Sequence, residues 1–183
     1  MKREHFRRGL VVGLVLLVLA ALQGSAAASP FGQGVFGADV PFGSATSLSI
    51  ALGGNVSLSL TPSGSVYEGS GSHTLTVTST DVVGYKLYVH ALGSNDMVSS
   101  GAVIPASSNV SAGPLSTNSW GFNTDGSTDY LGMSTNSMLL KSATGPYKNG
   151  DNTTVYYGAK ADVTKASGDY SVSVVYTAVA INP

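Results

Sequence analysis

The chain has no cysteine. That excludes disulfides, a thiolate metal site and a lipid anchor on an N-terminal cysteine. Many small exported domains rely on disulfides; one without them must rely on packing and β-ladders. Arginine is absent after Arg8. From Ser29 onward five lysines (86, 141, 148, 160 and 165) stand against nine carboxylates, Glu68 and eight aspartates. Binding to nucleic acid needs clustered cations that neutralise phosphates, and a polybasic hold on anionic lipid needs the same. Neither partner is expected. No window keeps a 3.6-residue apolar period, which leaves no amphipathic helix in the main part of the chain.

What is present begins with an export signal. Lys2, Arg3, Arg7 and Arg8 precede an uncharged run of 14 residues, 9–22. A transmembrane helix needs about 20 apolar residues, so the run suits the core of a signal-peptide helix. Ser25-Ala26-Ala27-Ala28 offers small residues at the −3 and −1 positions, and cleavage is expected after Ala28. The product would be secreted or held at the cell surface, with no membrane span left after cleavage. Its 155 residues fit one domain, large enough to bury roughly 70% of the unfolded surface.

Residues 29–45, SPFGQGVFGADVPFGSA, form a Gly/Pro-rich N-terminal arm. Gly and Pro oppose regular structure. Yet Phe31, Val35, Phe36, Val40 and Phe42 lie in it, including three of the four phenylalanines after Ser29. A solvated linker would not carry them.

Residues 46–183 read as all-β. Leu48, Ile50 and Leu52 alternate with small polar residues, as do Val56, Leu58 and Leu60 after the Gly53-Gly54-Asn55 turn. Period-2 alternation marks half-buried strands. Residues 61–71 read as a turn region. Further strands are expected at 74–78, 85–91 (Tyr85, Leu87, Val89 and Ala91 inward), 119–123 (Trp120 and Phe122 on one face), 153–162 and 170–179. Residues 103–104 precede Pro105, so any strand there is short or at an edge, and 142–152 read as a loop. About eight short strands with turns between them predict a single antiparallel β-sandwich, Greek-key and Ig-like or jelly-roll-like. Gly168-Asp169-Tyr170 suggests a tyrosine corner, in which a Tyr hydroxyl bonds back to the upstream backbone.

No catalytic constellation emerges. Serine-hydrolase chemistry needs a nucleophile, a base and an orienting acid. Only His73 and His90 are available after Ser29, with no Gly-x-Ser-x-Gly or Ser-x-x-Lys, and both read as exposed strand residues. A glycosidase pair needs two carboxylates held at different pKa values; Glu68 lies in a turn region and most aspartates sit beside turn formers. Asn123, Asp125 and Asp129 cluster oxygen ligands suited to Ca²⁺, but an ordinary Asx-rich turn is the expected reading. Trp120, Tyr156 and Tyr157, with Tyr88, could stack a sugar; a lone Trp in a sandwich is more often core. Lys86 or Lys160 could enter an isopeptide bond only if buried beside an acid, which their positions disfavour. Asn55, Asn109 and Asn152 begin Asn-x-Ser/Thr triplets.

Several stretches resemble a known family. Residues 82–89, VVGYKLYV, resemble an NPTGYTLSI-like strand entry. Ile104-Pro105-Ala106-Ser107-Ser108 resembles an IPASSG loop, and residues 118–122, NSWGF, resemble NTWGY. Tyr157-Gly158-Ala159-Lys160-Ala161-Asp162, followed by Gly168-Asp169-Tyr170 and Tyr176-Thr177-Ala178-Val179-Ala180, resembles a YGAKVD…YTAVA tail. In this order they resemble a secreted β-sandwich family of candidate-phyla bacteria such as Saccharibacteria, over about residues 47–183. The resemblance implies an exported surface domain and brings no catalytic residues and no cofactor.

Two functions are therefore expected, neither enzymatic. The first is a structural surface protein, a fibre or pilin-like subunit assembling through Phe31, Val35, Phe36, Val40 and Phe42, since an extended arm can complete a neighbour's sheet. Pro41 weakens this, because it lacks a ladder donor. The second is a monomeric adhesin or carbohydrate-binding module using Trp120, Tyr156 and Tyr157, with a glycan as partner.

Overall fold

Residues 85–91 alternate, and they form the central strand of a sheet. The computed structural model describes residues 47–182. It contains ten strands: β1 Ser47–Leu52, β2 Thr61–Ser63, β3 Val66–Thr80, β4 Gly84–Ala91, β5 Met97–Ser99, β6 Ala102–Ile104, β7 Ser119–Asn123, β8 Met138–Thr144, β9 Asp151–Asp162 and β10 Val174–Ile181. One sheet runs β1-β3-β9-β7, with β2 also on β3; a second runs β10-β4-β8; β5 and β6 make a separate hairpin. Every pairing between these strands is antiparallel. The links β3–β4, β7–β8, β8–β9 and β9–β10 each pass from one large sheet to the other. This is the expected antiparallel β-sandwich.

The core follows from alternation. Leu75 and Val77 of β3, Trp120 and Phe122 of β7, and Val155, Tyr157, Ala159 and Ala161 of β9 face inward from the first sheet. Tyr85, Leu87, Val89 and Ala91 of β4 meet them from the second. On the outer face of the first sheet, threonines pair across strands: Thr74 Oγ1 lies 3.0 Å from Thr154 Oγ1, and Thr76 Oγ1 donates to Asn152 Oδ1 at 2.8 Å. Such same-face pairs stabilise a ladder by roughly 0.2–1 kcal/mol each.

Two turns carry the chemistry their geometry demands. The β5–β6 loop is Ser100-Gly101, both at positive φ (42° and 91°), the signature of a type I′ hairpin. The β2–β3 loop opens on Gly64 at φ 61°, the first central position of a type II′ turn. Tyr170 Oη donates to the Ala166 carbonyl at 2.8 Å, so the tyrosine corner is present.

Four boundaries differ from the sequence reading. Residues 61–71 are not a turn region: they hold β2 and the first half of β3, because two-residue turns need only Gly64-Ser65 to reverse the chain. Residues 56–60 keep the alternating half-burial of a strand, yet no ladder forms there. They lie instead over the inward face of β3, where Gly69 and Gly71 leave room: a Cβ on Gly69 would come 2.5 Å from the Ser59 carbonyl, and one on Gly71 2.9 Å from Leu58 Cδ2. β8 continues through Thr144 into the expected loop. β10 starts at Val174, not Tyr170, although Tyr170 and Val172 still pack on the core.

Candidate functional site

Trp120, Tyr156 and Tyr157 do not share an exposed surface. Trp120 is 0% exposed, and its Nε1–H donates to the Asn95 carbonyl at 2.9 Å. Tyr157 faces the same core, with ring centroids 6.3 Å apart. Tyr156, one residue before it, points to the opposite face of β9, where Gly126 lies against its ring. Adjacent residues of a strand point to opposite faces, so the pair could never have formed one platform. Tyr88 is in the other sheet.

The 123–129 loop is built around Asn123, which is buried. Its Nδ2 donates to the Ser127 and Asp129 carbonyls, both at 2.9 Å, and its Oδ1 accepts from the Gly126 N–H at 3.1 Å. The Asp125 carboxylate accepts from the Ser127 N–H at 3.0 Å, and hydrogen bonds from Ser127 hold its pKa below the usual carboxylate range. The Asx-rich turn thus uses one oxygen each of Asn123 and Asp125 as acceptors within the loop, and among the described residues no group of three or more His, Asp or Glu gathers as a metal cluster. The loop also covers the outer face of the first sheet. Tyr130 lies across the Gly121–Gly158 cross-strand pair, where a Cβ on Gly158 would collide with its ring.

The histidines are half-buried rather than exposed, and they sit in different sheets. His73 Nδ1 lies 2.9 Å from the Gly54 carbonyl, so this nitrogen carries the proton. Nε2 then accepts from Tyr176 Oη at 2.8 Å, and Tyr176 in turn contacts the hydroxyl of Tyr157. Burial pushes the pKa of both tyrosines up, for Tyr157 against the opposing effect of Tyr176. This chain of hydroxyls joins β3 and β9 to β10, across the two sheets. It is a polar clasp, with no nucleophile or acid beside it in the described hydrogen bonds.

A second clasp closes another side. Lys141 of β8 donates to Asp151 Oδ1 of β9 at 2.7 Å, and Tyr85 Oη donates to Oδ2 at 2.6 Å. Burial raises the Asp151 pKa, but the hydrogen bonds from Lys141 and Tyr85 and the ammonium charge outweigh it, so the carboxyl stays below its ordinary range. Of the lysines considered for an isopeptide, Lys86 is exposed and Lys160 pairs with Glu68 at 2.8 Å. Among the triplet asparagines, Asn109 has its amide nitrogen engaged by the Gly113, Pro114 and Tyr130 carbonyls.

The four sides of the sandwich are treated differently. The β7 edge is covered: Trp120 and Phe122 exchange backbone hydrogen bonds with Pro105, Ser107 and Leu131. The β8 edge carries the inward-pointing Lys141 ion pair. The edges of β1 and β10, which lie near one another, have no further strand among the described residues. Their sequences, SLSIAL and VVYTAVAI, contain no charge and no proline. Leu52 aligns with Leu75, which is fully buried, yet Leu52 is 59% exposed. Ala178 and Ala180, facing inward beside Leu87 and Tyr85, stay half-exposed while those two are fully buried.

The expected contact residues Phe31, Val35, Phe36, Val40 and Phe42 lie outside the described residues, as does the expected signal segment 1–28. Sequence reading missed the uncharged β1 and β10 edges; the absence of Lys, Asp or Pro in both strands was the available signal. The chain matches no protein-family model, no curated protein and no solved structure.

Proposed function

We propose that the chain is a non-enzymatic exported structural protein, a surface subunit that joins its neighbours through the arm at residues 29–45. One observation carries this reading: among the described residues, two uncharged, apolar strand edges have no partner strand on one side of the sandwich. Soluble monomers usually blunt such edges with charge, proline or a covering segment. This chain blunts the β7 and β8 edges by those means, and the described residues leave β1 and β10 without a covering strand. The resemblance to an exported surface-domain family points the same way.

The glycan-binding alternative loses its platform, because Trp120 and Tyr157 are consumed by the core. The test is a deletion. Chain 29–183 should form oligomers, and chain 46–183 should be monomeric with the same β-sheet circular dichroism. Oligomers that persist without the arm would overturn the reading.

A further inference from the structure

The subunit reading leaves open which edge receives the arm. Resting on that reading, we infer that the acceptor is the edge of β10, and that residues 36–42 of a second copy add to it as a strand.

The acceptor follows by elimination and then by fit. The β7 edge has its hydrogen bonds taken by residues 105–107 and 131. The β8 edge points Lys141 inward onto Asp151, and an inward charge on an edge strand opposes strand addition. Of the remaining two, β10 is longer, eight residues against six. Its inward residues shrink along the strand from Tyr176 to Ala178 and Ala180. Two alanines above a core of Leu87 and Tyr85 leave shallow, half-exposed apolar ground.

The donor segment matches that ground. In Phe36-Gly37-Ala38-Asp39-Val40-Pro41-Phe42, the apolar side chains Phe36, Ala38, Val40 and Phe42 alternate with Gly37, Asp39 and Pro41. This is the period of a strand with one buried face. Large Phe and Val side chains would lie over the small alanines of β10, and Asp39 would face solvent. Added at the edge, the strand becomes the new edge, the one place where the missing N–H of Pro41 is tolerated. Strand addition supplies affinity through backbone bonds and specificity through alternate side chains.

The chain lacks cysteine, so introduced thiols report cleanly. A tagged Asp39→Cys chain is mixed with an untagged Val179→Cys chain and treated with a thiol cross-linker spanning about 8 Å, under two strand spacings. Asp39 alternates with the apolar face, and Val179 lies on the outward face of β10, 48% exposed. The control partner is Leu139→Cys on β8, 56% exposed and also outward. Circular dichroism of each variant verifies the fold. The expected result is a mixed dimer with Val179→Cys, about tenfold more abundant than with Leu139→Cys. Oligomers whose cross-links favour Leu139→Cys would overturn the β10 assignment and leave the subunit reading standing. A double variant Asp39→Cys/Val179→Cys that links within a monomer, with no mixed dimer, would overturn both.

Discussion

Tyr157 and Tyr176 touch hydroxyl to hydroxyl from opposite sheets, and His73 completes the chain at 2.8 Å from Tyr176. The three residues come from β9, β10 and β3, so β10 is fastened to the first sheet on its inner face, while its outer edge has no further strand among the described residues. Tyr176→Phe removes both hydrogen bonds and strands the Tyr157 hydroxyl and His73 Nε2 in a half-buried setting. Leaving buried polar groups unpaired costs about 1–3 kcal/mol. Urea unfolding of the variant should show that loss, and Tyr157→Phe a smaller one, because it leaves the His73–Tyr176 bond intact.

Trp120→Ala removes a fully buried ring and its bond to the Asn95 carbonyl. Large-to-small changes of this kind cost about 3–5 kcal/mol. Thermal and urea unfolding should show a loss of that size. A near-neutral effect would place the ring outside the core.

The Lys141–Asp151–Tyr85 cluster gives a pH signature. The Asp151 pKa is lowered in the folded chain. A depressed carboxyl contributes stability that is complete above its unfolded value near 3.9 and is lost as pH falls through the folded value. Stability should therefore drop below about pH 4. In Asp151→Asn part of that acid-induced loss should disappear, while stability at pH 7 falls by about 1.5–3 kcal/mol, the range for hydrogen bonds to a charged group. Unfolding midpoints between pH 2 and 7 check both arms.

Gly158→Ala tests the cover over the outer face. A Cβ at this position collides with the Tyr130 ring. Overpacking costs about 1–3 kcal/mol, and Tyr130→Ala in the same chain should restore part of it. The double-mutant cycle measures the coupling.

Much of this fold was legible because its strands obey a two-residue period. β4 and β7 have their expected inward faces, β9 lies where a strand was expected, and Tyr170 makes its corner. The misreadings of residues 56–60 and 61–71 share one cause, the ambiguity of glycine. Gly69 and Gly71 read as turn residues, but they sit inside β3 and leave space for residues 56–60. The sugar platform failed against the same period that located the strands, since Tyr156 and Tyr157 are neighbours on one strand. The His73–Tyr176 bond spans 103 residues, a separation that no local pattern reports. The open side is a property of sheet order, and composition could supply only the absence of charge in residues 47–52 and 174–181.

The most direct measurement of the subunit reading is the molar mass of chain 29–183 by size exclusion with light scattering, across a dilution series. The account predicts a concentration-dependent ladder of oligomers larger than a dimer, because each arm would leave one open β10 edge at the end of every chain. A single monomeric mass at all concentrations would contradict it.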